Sequence, residues 1–553
     1  MKRTLFIIVT LLMSMVGYAQ FDELERVEST PVLVDDNEDL IGEMLMRADK
    51  RLETSTNFIK IDDNTSLMEY TFTAKEDVPN PRILVAFSHV ENALWWMMPA
   101  TKYNSIDRNV SVQKRGDKPS QQFGVYSWQR TSVPGLAYTE GNKYAVATWS
   151  DGNCAATLLP TKGKALHCLM WPELDNPVGN GFELEEDEAG VPTGSRSWEV
   201  GDYNFAPKDH VTMKKGEKKV IRMYIYTSFV KPNHAAMSGF LRSAWNLAKA
   251  PALPKVNDKK LWKDGIGRIK DQPWTGVESL TVANVLLADY AQKGGKGSFS
   301  KGVELLNKAF DVEWKSLTGR QQAELAVGLL RADALAIKCG KPMPQSRERA
   351  LEICQYILGE QYPDGVWNKE GHYYLPAMLS AYDATKDNAY LQAAQKGYEP
   401  FMATLRGNDA NWWWGPVDRD SAYPLLQAAL RLREHTGEDS FLQDAVLVSD
   451  FLSTWLWHSD VNWPIEGSQA GKKYHTFGLS RPSTDCPQFD IEACRWVPEW
   501  MELSELTGDS QWQDKARVIW ESSAQIASPS NEVEPVALQL DVIQRMNERG
   551  YKW

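Results

Sequence analysis

Positive charge is in short supply in this chain. Its 61 Lys and Arg stand against 73 Asp and Glu, a net charge of -12. A nucleic-acid interface needs a basic face, and an anionic membrane surface attracts one, so the charge argues against both partners. Past the N-terminus there is no unbroken apolar run of roughly 18 residues, so no membrane insertion is expected. Cysteine is scarce: six in 553 residues, with no C-x-x-C pair, which disfavours structural zinc. H-E-x-x-H, P-loop, G-x-G-x-x-G and G-x-S-x-G elements are missing, and with them the signatures of zinc proteases, nucleotide enzymes and serine hydrolases. No cofactor or metal is expected.

Residues 1–20 read as a secretory signal. Lys2 and Arg3 are followed by the short apolar run Leu5 to Val16 and the small-residue site Gly17-Tyr18-Ala19. The expected location is periplasmic or secreted. An oxidising compartment permits disulfides, with Cys486–Cys494 and Cys154–Cys168 as candidate pairs and buried free thiols as the alternative. About 530 residues remain, enough for two or more domains.

Two periodicities divide the rest. Residues near Asp36 to Thr56 read as a short leading helix. From Asn57 to about Val230, runs such as Leu67–Thr73, Arg82–Phe87, Lys143–Trp149 and Lys219–Thr227 are β-branched and aromatic, separated by Gly, Pro, Asn and Asp. Many strands without intervening amphipathic helices point to an antiparallel β-sandwich, assigned to residues 21–232 with its leading helix. Residues 233–257 hold a linker helix and the Pro-marked stretch Pro251-Ala-Leu-Pro254. From 258 to 553 the period is helical.

The helical half repeats itself. Thr385-Lys386-Asp387, Thr436-Gly437-Glu438 and Thr507-Gly508-Asp509 each precede an aromatic and then an Ala nine residues after the Thr. Each copy reads as helix, tight turn, N-cap, helix. One such hairpin cannot bury its own apolar face, so several must stack or close. Weaker copies run from Ser279 to Phe310 and from Arg320 to Leu358, and a last helix spans about Val533 to Met546. Long aromatic connections between hairpins favour a closed ring.

Those connections carry the candidate chemistry. Aromatic rings cover sugar faces, while carboxylates and Arg bond sugar hydroxyls. Trp274, Trp367, His372, Tyr373, Trp412, Trp413, Trp414, Arg419, Tyr423, His475, Arg481, Asp485, Arg495 and Trp496 are the candidate substrate-binding residues. Cleaving a glycosidic bond takes one carboxyl to protonate the leaving oxygen and a second to activate water or attack. Asp418, Asp420, Asp490 and Glu492 are the candidates. Asp420 and Asp490 are also well placed as helix N-caps. Arg419, Arg481, Arg495 and Lys472-Lys473 suit a uronate carboxylate. His372-Tyr373-Tyr374 and Tyr474-His475 suit a lyase base. In the first domain Glu91, Tyr103, Asn104 and Arg130 either reach the ring's funnel or pack between domains.

The repeated Thr-Gly-acid turn, placed after a strand-rich domain, resembles the six-hairpin glycosidase superfamily. The domain order is similar to that of glucoamylases and disaccharide phosphorylases. The resemblance implies a multidomain α and β protein, an N-terminal antiparallel β-sandwich followed by an (α/α)6 toroid. No catalytic residue is carried over from it. The resulting expectation is an exported glycoside hydrolase acting on an oligosaccharide or polysaccharide, with or without uronate. A uronate-eliminating polysaccharide lyase and a non-catalytic glycan-binding protein are the alternatives.

Overall fold

A computed structural model describes residues 24–26, 32–103, 126–128, 131–161, 164–173, 198–200, 203–205, 211–367, 370–407, 419–461, 474–483, 489–527 and 533–552. The signal segment, Asn104, Arg130, Trp412, Trp413, Trp414, Asp418, Lys472, Lys473, Asp485 and Cys486 lie outside the described residues.

Two seven-stranded antiparallel sheets, together with two two-stranded pairs, make up the strand-rich half among the described residues. One runs Leu24–Arg26, Leu40–Asp49, Ile83–His89, Lys164–Trp171, Ala155–Thr161, Tyr126–Ser127, with Val32–Val34 also on the second strand. The other runs Leu52–Lys60, Thr65–Ala74, Lys218–Phe229, Tyr144–Ser150, Ala137–Glu140, Trp95–Met98, Lys102–Tyr103. Both sheets feed one apolar core: Met44, Met46, Val85 and Phe87 from the first, Met68, Tyr70, Phe72 and Met223 from the second.

The expected leading helix is absent. Residues 40–49 and 52–60 are strands, with Met44 opposite Phe87 and Met46 opposite Val85. Leu, Met, Glu and Lys there favour helix by local preference. Burial alternates every second residue instead, because pairing along Ile83–His89 supplies the core that an isolated helix would lack.

In the second sheet the strands Trp95–Met98, Ala137–Glu140 and Tyr144–Ser150 are buried on both faces. Trp96, Met98, Tyr144 and Val146 enter the core between the sheets, while Trp95, Met97, Ala145 and Ala147 enter the core of the helical half. Period-two alternation sorts these neighbours to opposite sides. It explains why Tyr144–Ser150 reads as a nearly continuous apolar run.

The helices are α1 (Met237–Leu247), α2 (Asp258–Lys270), α3 (Glu278–Lys293), α4 (Lys296–Phe310), α5 (Gly319–Lys338), α6 (Pro344–Gly359), α7 (Tyr374–Thr385), α8 (Asn388–Gly407), α9 (Tyr423–Thr436), α10 (Asp439–Ser453), α11 (Val497–Thr507), α12 (Ser510–Ala527) and α13 (Glu534–Glu548). Hairpins pair α3 with α4, α5 with α6, α7 with α8, α9 with α10 and α11 with α12. The first member of each hairpin packs on the first member of the next. Helix α13 then packs on α11, on α3 and on α2, so the ring closes. Pro at the start of α6, α9, α11 and α13 removes an N–H that would go unpaired there. A capping box of Thr318 and Gln321 starts α5.

The repeated turn has one hydrogen-bond pattern. In each copy the Thr hydroxyl donates to the carbonyl four residues back: Thr385 to Ala381, Thr436 to Leu432, Thr507 to Leu503. The same hydroxyl accepts the N–H of the acid two residues on. The middle residue is left-handed, with φ of 60° at Lys386, 74° at Gly437 and 70° at Gly508. Asp387 and Asp509 then accept N–H groups at the start of the following helix.

The two halves meet through α1 and the loop after α10. The Tyr103 hydroxyl lies 2.7 Å from Thr454 Oγ1, and its ring stacks on Trp455 at 5.5 Å. The His458 N–H donates to the Ser132 carbonyl at 2.8 Å. Tyr103 is therefore packed between the halves. Glu91 instead receives the Lys143 and Tyr144 N–H groups within the strand-rich half. Cys154, Cys168, Cys354 and Cys494 are buried free thiols, and Cys339 is free and half-buried. No Cys154–Cys168 bond forms: Cys168 sits opposite Thr157, three residues along the partner strand from Cys154.

Candidate functional site

The ring brings the starts of four successive inner helices to one end. Tyr374, first residue of α7, donates to Gln322 in the first turn of α5. Tyr423, first residue of α9, donates to the Arg495 carbonyl just before α11 at 3.0 Å. Arg320, at the start of α5, reaches Asp420 before α9 at 3.1 Å and lies over the Tyr373 ring at 5.4 Å. Parallel inner helices with their N-termini at one end also concentrate partial positive charge there.

Arg419 is the hub of this end. It is 2% exposed. Its Nε donates to Asp420 Oδ1 at 2.9 Å, and Nη1 donates to Ser480 Oγ at 2.5 Å and to Asp490 Oδ1. One guanidinium thus joins carboxylates from the connections before α9 and before α11. Planarity and permanent charge suit Arg to this position. Two carboxylates on one guanidinium fall inside the upper separation of about 9.5 Å used by paired glycosidase carboxyls.

The surroundings push the two carboxyls in opposite directions. Enclosure by protein raises Asp420, but Arg419 and Arg320 outweigh it and hold the carboxyl below its usual range. Enclosure also raises Asp490; Arg419 and Ser480 oppose it, Glu492 reinforces it, and the net shift is upward. Yet the Asp420 side chain is 34% exposed and the Asp490 side chain 26%. Both carboxyls therefore keep part of their surface open to solvent. A carboxyl held ionised beside one inclined to keep its proton is the pairing that acid–base chemistry uses.

Glu492 follows Asp490 by two residues and starts the short 3-10 helix Glu492–Trp496. Its N–H donates to Asp490 Oδ1 at 3.1 Å, and its side chain receives Arg495 Nε at 2.5 Å. Arg495 is 37% exposed and makes no second side-chain hydrogen bond among the described residues. Asp490, Glu492 and Asp420 are therefore brought together, with Arg419, Arg495 and Tyr423 around them. Asp420 is not a helix N-cap: α9 begins after Ala422 with no side-chain cap. Asp490 caps only the short turn at Glu492–Trp496.

Other candidates lie elsewhere. Trp274 and Trp367 are buried, and their indole N–H groups donate to the Ile269 and Ile357 carbonyls. Trp496 is buried against Trp500 at 5.4 Å. All three pack inward, and for Trp274 and Trp367 the carbonyl in reach satisfies the buried indole N–H. Arg481 is fully buried, with Nε on the Ser483 carbonyl. His372 is 4% exposed and rests on Tyr373 at 4.2 Å. Burial, then the nearby Arg320, lowers its pKa to about 3 and keeps it neutral. His475 is half-exposed, and its Nδ1 is bound to Asp460 at 2.5 Å.

Arg320 and Ser480 were not among the sequence candidates. Ser480 is fully buried in an irregular loop, and only its pairing with Asp490 across that loop gives it a role. The first-turn position of Arg320 was the one legible hint. Among the described residues no cluster of His, Cys, Asp or Glu could hold a metal ion, and no helix is long and apolar enough to cross a membrane.

No protein-family model matches the chain, and no curated protein sequence does. Among solved structures, a polysaccharide lyase is similar at 9% identity and TM-score 0.39, over 92% of this chain and 85% of that one. A D-mannose isomerase is similar at 11% identity and TM-score 0.37, over 54% of this chain and all of that one. An α-1,6-mannanase of Salegentibacter sp. is similar at 13% identity and TM-score 0.36, over 52% of this chain and 99% of that one. TM-scores this low give the likenesses no weight for the activity.

Proposed function

We propose that the protein is an exported carbohydrate-cleaving enzyme, a glycoside hydrolase built as a β-sandwich before an (α/α)6 toroid. One observation carries this reading: Asp420 and Asp490 share Arg419 at the N-terminal end of the ring and are shifted in opposite directions. Asp490 keeps its proton for the leaving glycosidic oxygen, and ionised Asp420 is the partner that activates water or attacks the anomeric carbon. Asp418, before the same helix start in sequence, is a further candidate for the second role. Glu492 raises Asp490 by its charge and anchors Arg495. Arg495, the arginine with an open side, suits an acidic sugar such as a uronate.

The test is incubation of the full-length protein with a panel of neutral and uronate-containing oligosaccharides, with products read by mass spectrometry. Hydrolysis adds water across the broken bond. Asp490→Asn should lose most turnover on ordinary glycosides and keep it on aryl glycosides whose leaving group needs no proton. Unchanged glycans throughout would leave a binding protein.

A lyase is the second reading, favoured by one arrangement. Tyr373 is half-buried under Arg320, beside a His372 that burial holds neutral. A tyrosine so placed could take the proton next to a uronate carboxylate, with Arg320 facing the charge. Unsaturated products absorbing in the near ultraviolet would decide for it.

A further inference from the structure

The Ser480 hydroxyl has one proton and two lone pairs, and all three are used. The lone pairs accept Arg419 Nη1 at 2.5 Å and the Ala493 N–H at 3.1 Å. The proton has one acceptor, Asp490 Oδ1, at 2.5 Å. The same Oδ1 also accepts Arg419 Nη1 and the Glu492 N–H. Three donors therefore converge on one carboxyl oxygen. Oδ2 receives no hydrogen bond among the described residues, and about a quarter of the side chain, 26%, is open to solvent.

An oxygen that accepts three hydrogen bonds has no room for a proton of its own. We propose that Ser480 is a positioning residue that loads Asp490 Oδ1 and thereby confines the acid's proton to Oδ2, the oxygen that no described residue hydrogen-bonds. The assignment rests on Asp490 being the acid of the proposed reaction. Ser480 touches no substrate; it acts through Asp490. Its backbone fixes the same geometry, because Ser480 and Asp490 exchange both main-chain hydrogen bonds. The main chain fixes where the side chain starts, and the three hydrogen bonds on Oδ1 oppose the rotation that would exchange the two oxygens.

The experiment follows ionisation of Asp490 by carboxyl-carbon NMR in aspartate-labelled full-length protein, with its signal identified by loss in Asp490→Asn. Ser480→Ala removes a donor that favours the ionised form, so the midpoint should rise by roughly half to one pH unit. Ser480→Cys, close in size and a weaker donor, should rise by less, and it carries the test if Ser480→Ala does not fold. With a cleaved substrate in hand, the basic limb of the pH–rate profile should move by the same amount with KM unchanged. An unmoved or lowered midpoint in both variants would overturn the assignment. The titration needs no substrate, so a protein that cleaves nothing would refute the proposed activity and leave this result readable.

Discussion

At Arg419, oxygens from three points of the chain converge on one buried cation. Asp420 is its sequence neighbour, whereas Ser480 and Asp490 arrive through a separate connection. The shifts set a pH dependence whose signs are fixed. Asp490 is raised, so its protonated fraction falls only as pH climbs through that raised value. Asp420 is lowered, so it stays ionised until pH drops below the ordinary carboxylate range. A reaction needing protonated Asp490 and ionised Asp420 declines on the alkaline side through the first and on the acid side through the second. Activity against pH should form a plateau with these two limbs. A rate that climbs steadily with alkalinity would exclude Asp490 as the acid.

At the scale of an element, the Thr-x-acid turn ends one helix and begins the next. Three copies use the same two Thr hydrogen bonds, and the middle residue must be left-handed. Glycine takes that conformation freely at Gly437 and Gly508; Lys386 takes it with a side chain in the way. Lys386→Gly should therefore stabilise the protein by about 1 kcal/mol. Chemical denaturation checks it, and a loss of stability would mean that the contact of Lys386 with the Tyr382 ring outweighs the backbone term. The turn was readable from sequence because every bond in it is local. The strand at 40–49 was not, because its local preference for helix is overruled by partners 30 or more residues away, and at 52–56 pairing with the next strand decided against the expected helix.

For the molecule as a whole, ring closure depends on α13. Glu499 of α11 is fully buried and receives Arg545 and, at 3.0 Å, Arg549. Arg545 also donates to the Arg495 carbonyl beside the candidate site. Removing the acid leaves a largely buried arginine uncompensated, so Glu499→Ala should cost about 3–5 kcal/mol. Glu352→Ala, which breaks the more exposed pair with Arg349, should cost less than about 1 kcal/mol. Equal midpoints of the two variants in a denaturant titration would show that the pair does not hold the ring closed.

The chain alone determined the helical half, its hairpin unit and the division from a strand-rich half, because 3.6-residue periodicity, caps and turns are local. It also nominated Asp420, Asp490 and Glu492, whose connections are unusually polar and aromatic. Tertiary structure decided which of those groups meet. Sequence could not show that Trp274, Trp367 and Trp496 pack inward, since an indole suits a core as well as a sugar. Nor could it show that Ser480 joins Arg419 to Asp490, or that two similar aspartates are pushed apart. Those facts depend on distances between segments up to 100 residues apart, and electrostatics follows distance in space rather than position along the chain.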